Sequence, residues 1–272
     1  MGGFLKTMAQ SSAARVAAAN LSFSAADLDR PAFPLRLHGF DLIAEIKNRS
    51  PAEGELASTD SDRTSRASRY AAGGAAAISV LTEPDRFDGH LDHLKEVVAA
   101  VAEQELPVMR KDFLVDTVQV HEAKAAGASG ILLIAAILSD DELANMLDCA
   151  FDNDLFVLLE SFDEIDLERS AFILQKAKIR EQAASTKFLI GVNSRNLQTL
   201  ALDPLRLKRF GPLLPDGVIC VAESGQHKPA DAADVAAWGY EMALVGTALM
   251  RTDDPTTVIE QMLVSGRSVT NP

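Results

Sequence analysis

Cysteine is almost missing from this chain: Cys149 and Cys220 are its only thiols, and neither stands at a metal-ligand spacing from a partner. This excludes a disulfide framework and a thiolate zinc site, and it points to a reducing cytosol. Histidine is also scarce. His38, His90, His93, His121 and His227 build no ligand pattern, and the His90/His93 pair fits a solvated helix start, so no metal site and no histidine role is expected. Apolar runs are short, the longest being 131–138, which is strand-sized and well under the roughly 18 residues of a membrane span. Basic residues are outnumbered, 26 Lys and Arg against 39 Asp and Glu, giving a formal net charge of −13. Nucleic acids and acidic membranes need a positive field that such a surface opposes, so neither is expected as a partner. A small anion is still admissible where glycine-rich loops and a few inward lysines supply local donors. Lys6 and Arg15 lie among alanines and serines near the N-terminus, but no signal-peptide core follows; 17–28 continues as a helical pattern with Asp27 and Asp29. A cytoplasmic location is expected, with the chain a monomer or weak homo-oligomer.

What is present is material for a large α/β core. Hydrophobic residues make up 47% and charged residues 24% of 272 positions, and α/β barrels run to about 250 residues as one unit. A helix-like stretch, a glycine stop and a short branched strand recur at 71–81 (AAGGAAAISVL), 125–134 (AAGASGILLI) and 236–246 (AAWGYEMALVG), each with Gly where a left-handed helix end belongs. Completing the pattern places strands near 42–47, 77–81, 108–111, 131–135, 156–160, 188–193, 218–223 and 243–246. Helical patterns lie between them, at 91–101, 117–126, 140–152, 163–182 and 229–238. Strict alternation demands parallel strands joined by right-handed crossovers, and eight units favour a closed (β/α)₈ TIM barrel of the α/β class. The alternative, an open doubly wound sheet, usually announces a Gly-x-Gly-x-x-Gly turn after its first strand. Here that strand ends in Lys47-Asn48-Arg49-Ser50-Pro51. Residues 1–40, with Pro31 and Pro34, form a helical extension expected to act as lid or plug; 41–265 form the barrel, and 266–272 a frayed tail.

Ionisable residues stand at the ends of otherwise apolar strands: Glu45 and Lys47, Lys111, Glu160, Asn193 with Arg195, and Glu223 with Ser224. In a barrel all C-terminal strand ends meet at one mouth, so residues scattered in sequence converge on one pocket. Any one of them alone is equally a surface ion pair where a strand leaves the sheet. Glu45 and Lys47, two apart on one strand, share a face. Ser224-Gly225 after strand seven and Gly246-Thr247-Ala248 after strand eight stand where barrels commonly hold a phosphate, although each glycine is also explained by an ordinary turn. A bulky residue in place of Gly246 is expected to raise KM more than it lowers turnover. Met109, Phe113 and Phe87 fit either core packing or the floor of an aromatic pocket.

At these residues the chain resembles indole-3-glycerol phosphate synthase, over nearly its whole length from about residue 5 to residue 251. The matching segments are Ile43-Ala44-Glu45-Ile46-Lys47 with Ser50-Pro51, Ile78-Ser79-Val80-Leu81-Thr82-Glu83-Pro84, Pro107-Val108-Met109-Arg110-Lys111-Asp112-Phe113, 132–138, Gly191-Val192-Asn193-Ser194-Arg195-Asn196-Leu197, Glu223-Ser224-Gly225 and Leu244-Val245-Gly246. The resemblance implies cyclisation of 1-(2-carboxyphenylamino)-1-deoxyribulose 5-phosphate with loss of carbon dioxide and water, without metal or redox cofactor. It implies Lys111 as the acid at the ketone and Lys47 as a cation for the substrate carboxylate with a later acid role. Glu160 and Glu45 are implied as carboxylates for proton removal and dehydration, and Glu223 joins the catalytic set. Asn193, also counted in the catalytic set, and Arg195 are implied to orient the substrate, while Ser50, Gly225, Gly246 and Thr247 hold its phosphate; Ser224, Phe87 and Phe113 are expected among the substrate-binding residues. Coupled titration leaves the division of acid roles between the lysines open. Ala52, Ala222 and Gln226 depart from the family pattern, which has Ser at the first two positions and an aliphatic residue at the third. Two other readings compete: a phosphoribosylanthranilate isomerase-like barrel, which wants a Cys/Asp pair at strand ends whereas Cys220 lies inside strand seven, and a catalytically silent barrel kept as a partner subunit.

Overall fold

The glycines of the recurring unit adopt the backbone that the pattern demands. Gly74, Gly127 and Gly239 have φ of 87°, 89° and 97°, a left-handed conformation that ends a helix at no steric cost in a residue without Cβ. Each turn feeds the chain straight into a buried strand. In the computed structural model, which describes residues 3–19, 21–51, 54–56, 63–196 and 201–270, these strands are β1 (Asp41–Ile46), β2 (Ala77–Leu81), β3 (Val108–Lys111), β4 (Gly130–Ile134), β5 (Phe156–Ser161), β6 (Phe188–Asn193), β7 (Ile219–Glu223) and β8 (Met242–Val245). Every neighbour pairs in parallel, and β8 returns to β1 with Ala44 opposite Val245, so the sheet closes into a barrel. The open doubly wound alternative is thereby overturned: closure leaves the sheet no free edge.

Burial explains why the strand signal was readable. β1, β2, β4, β5 and β6 are buried at every position, as a parallel sheet covered by helices requires. Boundaries differ from the pattern by about one residue, the usual error of reading strand ends from propensity.

Three segments differ from expectation. The pattern at 17–28 is not one helix: the first helix, Gly3–Ala18, stops, and a single turn, Ala25–Leu28, starts afresh. Ser24 begins it by accepting from the Asp27 N–H while Asp27 accepts from the Ser24 N–H, a reciprocal cap that favours a new start over continuation. The pattern at 163–182 is two helices, Glu164–Ile173 and Ala177–Ala184. Lys176 leaves helical backbone with ψ 128°, and Arg180 turns back to donate to the Leu174 and Gln175 carbonyls that the break would otherwise orphan. Finally, the tail from Gly266 is not frayed across its described part, because the last helix runs from Pro255 to Thr270. Arg267 anchors it, donating to the Phe40 carbonyl at 3.0 Å and to the Asp41 carboxylate at 2.6 Å, and a Cβ at Gly266 would collide with the Phe40 ring. Residues 271–272 lie outside the described residues.

Candidate active site

The C-terminal ends of the strands bring the charged residues to one cavity. Its wall includes Glu45, Lys47 and Ser50 from β1 and the turn after it, Lys111 and Phe113 from β3, Glu160 from β5, Asn193 and Arg195 from β6, Ser224 and Gly225 after β7, and Gly246 and Thr247 after β8. Phe87, from the short helix after β2, closes the list of residues expected from sequence. Met109, grouped with the two phenylalanines, is fully buried and is core. Cys220 is buried within β7, away from the cavity wall.

Lys111 is the centre of the charge. Its Nζ lies 2.9 Å from Glu223 Oε2 and 3.8 Å from both Glu160 Oε1 and Glu45 Oε2. The second ammonium, Lys47 Nζ, sits 2.8 Å from Glu45 Oε1. Asn193 donates to Glu160 Oε1 at 2.7 Å and accepts the Arg195 N–H at 2.9 Å, which fixes the amide orientation and the Glu160 carboxylate together. Burial alone would weaken the Lys111 ammonium, but Glu223, Glu160 and Glu45 outweigh it and raise the proton affinity of the amine. For Glu45, burial is likewise outweighed, by Lys47 and then Lys111, so its carboxyl is held below the ordinary range.

Glu223 is different. Burial first and the Glu160 charge second push its carboxyl up to about 8, against the pull of Lys111. One oxygen, Oε1, is buried and receives no hydrogen bond from the described residues, so nothing there stabilises a negative charge on it. A carboxyl bound more tightly to its proton in the folded state supports the fold fully below its ordinary value of 4.5 and loses that support as pH rises through about 8. Glu223→Gln removes the titration, so the melting temperature of the variant relative to the parent is expected to climb between about pH 5 and about pH 8. A difference that stays flat over that window, followed by calorimetry, would show that Glu223 is ionised throughout.

Two glycines make room for this cluster. A Cβ at Gly191 on β6 would meet Glu223 Oε1, and one at Gly246 would meet Glu45 Oε1 and approach Lys47 Nζ to 3.0 Å. The second contact changes an expectation. Valine at Gly246 strikes the Glu45–Lys47 pair itself, so Gly246→Val should lower kcat at least as much as it raises KM; steady-state kinetics on the folded variant that show a rise in KM alone would restore the simpler picture.

Sequence reasoning missed Phe4 and His227, which both line the cavity. Phe4 reaches it from the first helix and packs edge-on to Phe113 at 6.1 Å, while Phe87 lies 6.3 Å from the same ring. The helix is tied down by Arg15, whose guanidinium donates at 2.9 Å to Asp112; that carboxylate also accepts the Phe113 N–H, the Thr82 hydroxyl and Arg110. Asp112 thus holds the strand end that carries Lys111. The signal for Phe4 was the helical extension read as a lid; for His227 it was adjacency to Gly225-Gln226. Of the departures from the family pattern, Ala222 is buried in β7 and Gln226 is buried in the cavity wall, while Ala52, like the motif residue Leu197, lies outside the described residues.

This constellation can be compared with known proteins. The family model described as Indole-3-glycerol phosphate synthase matches residues 6–262. The chain belongs to the indole-3-glycerol phosphate synthase family. Among relatives bearing the name indole-3-glycerol phosphate synthase, one from Nocardioides sp. is 44% identical over 90% of this chain and 89% of its own length. Another, from Mycolicibacterium gilvum, is 40% identical over 93% and 90%. Solved structures reach further in shape than in sequence: 3-hexulose-6-phosphate synthase from Salmonella typhimurium aligns with a TM-score of 0.63 at 12% identity, covering 84% of this chain and 99% of its own. A thiamine phosphate pyrophosphorylase from Pyrococcus furiosus gives 0.58 at 15%, covering 85% and 96%. These two share the barrel; the indole-3-glycerol phosphate synthase relatives share the family.

Proposed function

We propose that this chain converts 1-(2-carboxyphenylamino)-1-deoxyribulose 5-phosphate to indole-3-glycerol phosphate, with loss of carbon dioxide and water, and that the strand-end cluster performs the proton chemistry. The observation that carries the assignment is the Lys111 ammonium held among Glu223, Glu160 and Glu45 inside the cavity. A scaffold without chemistry has no use for such a group, since the desolvation of a buried ion cluster can exceed the attraction between its members even when they are paired.

The reaction needs acid and base within reach of one substrate. When the ring carbon bearing the carboxylate attacks the ketone, a carbon–carbon bond forms and the carbonyl oxygen takes a proton, from Lys111 in this assignment. Its charge also stabilises the developing alkoxide. Departure of carbon dioxide returns the electron pair to the ring. The new hydroxyl then takes a second proton and leaves as water while a base removes a proton from the carbon beside nitrogen; Glu160, oriented by Asn193, is assigned this step, and Lys47 with Glu45 is placed to serve the carboxylate and the second proton. Phe4, Phe87 and Phe113 form an apolar side of the cavity suited to the aromatic ring. Ser50, Ser224, Gly225, Gly246 and Thr247 line it with small residues and hydroxyls suited to the phosphate, and Arg195 stands beside Asn193 to orient the chain between.

Incubating the protein with the carboxyphenylamino-deoxyribulose phosphate and following indole fluorescence tests the reading. Product is expected at catalytic enzyme concentration. Its absence at high concentration would leave the silent-barrel alternative standing.

A further inference from the structure

The paired residues of β5 and β6 end just past the catalytic cluster, with Ser161 opposite Val192. Glu160 and Asn193 stand at that end, and the 2.7 Å bond from the Asn193 amide to Glu160 Oε1 crosses from one strand to the other. The geometry of that bond therefore depends on how the two chains run once they leave the ladder. Arg206 meets them there. It opens the short helix Arg206–Phe210 and is not among the residues that line the cavity. Its Nη1 donates to the Phe162 carbonyl at 2.7 Å and to the Asn193 carbonyl at 3.2 Å, one acceptor from each chain, and lies 3.4 Å from the Arg195 carbonyl. Phe162, Asn193 and Arg195 all line the cavity. The arginine is itself held in place: the Asp203 N–H donates to the Ser194 carbonyl at 2.9 Å and Arg195 bridges to Leu202, so the chain leading to Arg206 lies back along the end of β6. With only 13% of its side chain exposed, its donors face little competition from water, and the planar guanidinium keeps their directions fixed.

We propose that Arg206 is a positioning residue for the proton-removal step: it clamps the ends of β5 and β6 together from behind the cavity wall and so sets the Asn193–Glu160 pair at the distance and angle the base needs. This rests on the assignment of Glu160 as that base. Arg206 touches no substrate in this role. Without the clamp the Phe162 and Asn193 carbonyls lose their shared donor and the two strand ends can move apart, carrying the Asn193 amide away from Glu160. Ring closure, assigned to Lys111 on β3, does not pass through this pair of strand ends.

The test is a double-mutant cycle with Glu160→Gln, read in turnover and in single-turnover release of carbon dioxide against indole fluorescence. Arg206→Met keeps the stem and removes every donor; Arg206→Gln is made beside it, so that a folding failure in one, seen by thermal melt, still leaves a measurement. In the parent background kcat is expected to fall by about 10- to 100-fold, since a misplacement of about 1 Å can cost about 10²-fold. KM should stay within about threefold, and carbon dioxide release likewise, while indole fluorescence is delayed. Arg206→Lys, whose donors sit on a single atom, should fall between the parent and Arg206→Met. In the Glu160→Gln background Arg206→Met should cost less than about twofold further, because the group it positions no longer acts. A purely structural arginine would cost the same factor in both backgrounds and slow both signals together, and either result overturns the proposal. So does a kcat within about twofold of the parent in a folded Arg206→Met protein. If Glu160→Gln alone leaves turnover intact, the base assignment fails and the role of Arg206 falls with it; absence of product from the parent instead refutes the reaction itself.

Discussion

Lys111→Ala is expected to lower kcat by about 10³-fold or more while leaving the barrel folded. General acids contribute about 10²–10⁴-fold, and a positioned charge on a developing oxyanion adds about 10²–10³-fold; here one ammonium supplies both. The fold should survive because the residue closes no packing layer: Lys111 stands at the mouth, and its contacts are the carboxylates of Glu223, Glu160 and Glu45. Without their counter-ion these carboxyls repel one another, and protonation relieves the repulsion. Glu223, already pushed up to about 8, goes higher still. Residual turnover in the variant should therefore show a pH profile displaced from that of the parent. Arginine is not expected to rescue it, because a guanidinium does not give up its proton near neutral pH. The decisive numbers are kcat in single-turnover conditions and a thermal melt on the same sample. If kcat holds within about threefold of the parent in a folded protein, the acid role passes to Lys47.

The fold was legible because its signals are local and repeated. A glycine left-handed turn followed by a branched strand, as at Gly74, Gly127 and Gly239, is dictated by backbone sterics, and the eightfold alternation then leaves few topologies. The cluster was legible for the related reason that a charge at the end of an apolar strand has one face to point into. What the sequence hid is tertiary. The break at Lys176 depends on Arg180 reaching back to cap carbonyls, and no period in the sequence reports that. The ordering of residues 266–270 depends on Arg267 meeting Asp41, more than two hundred positions away in the chain. Phe4 joins the cavity because distant residues tie its helix down, Asp112 through Arg15 and Gln119 through Ser12. The geometry also redistributed weight among the residues that line the cavity. Gly246 reads in sequence as a phosphate loop, yet its missing Cβ is what admits the Glu45–Lys47 pair.

Glu160→Gln should suppress turnover by about 10²–10⁴-fold, the range for loss of a general base, with little change in KM. The substitution is nearly isosteric, and its amide oxygen can still accept from Asn193, which now donates to Glu160 Oε1 at 2.7 Å. Orientation at the strand end is therefore kept while the base is removed. The effect should also be selective in time. If Glu160 takes the proton from the carbon beside nitrogen, ring closure and decarboxylation precede its step, so the variant should release carbon dioxide in a single turnover without a matching rise in indole fluorescence. A second consequence follows from its neighbour. Glu160 is, after burial, the largest influence raising the Glu223 carboxyl, so removing its charge should bring Glu223 down from about 8. Rapid quench with paired carbon dioxide and fluorescence readouts separates the cases. Parallel loss of both signals would place Glu160 at or before ring closure, and a rise in KM with kcat preserved would make it a binding group rather than the base.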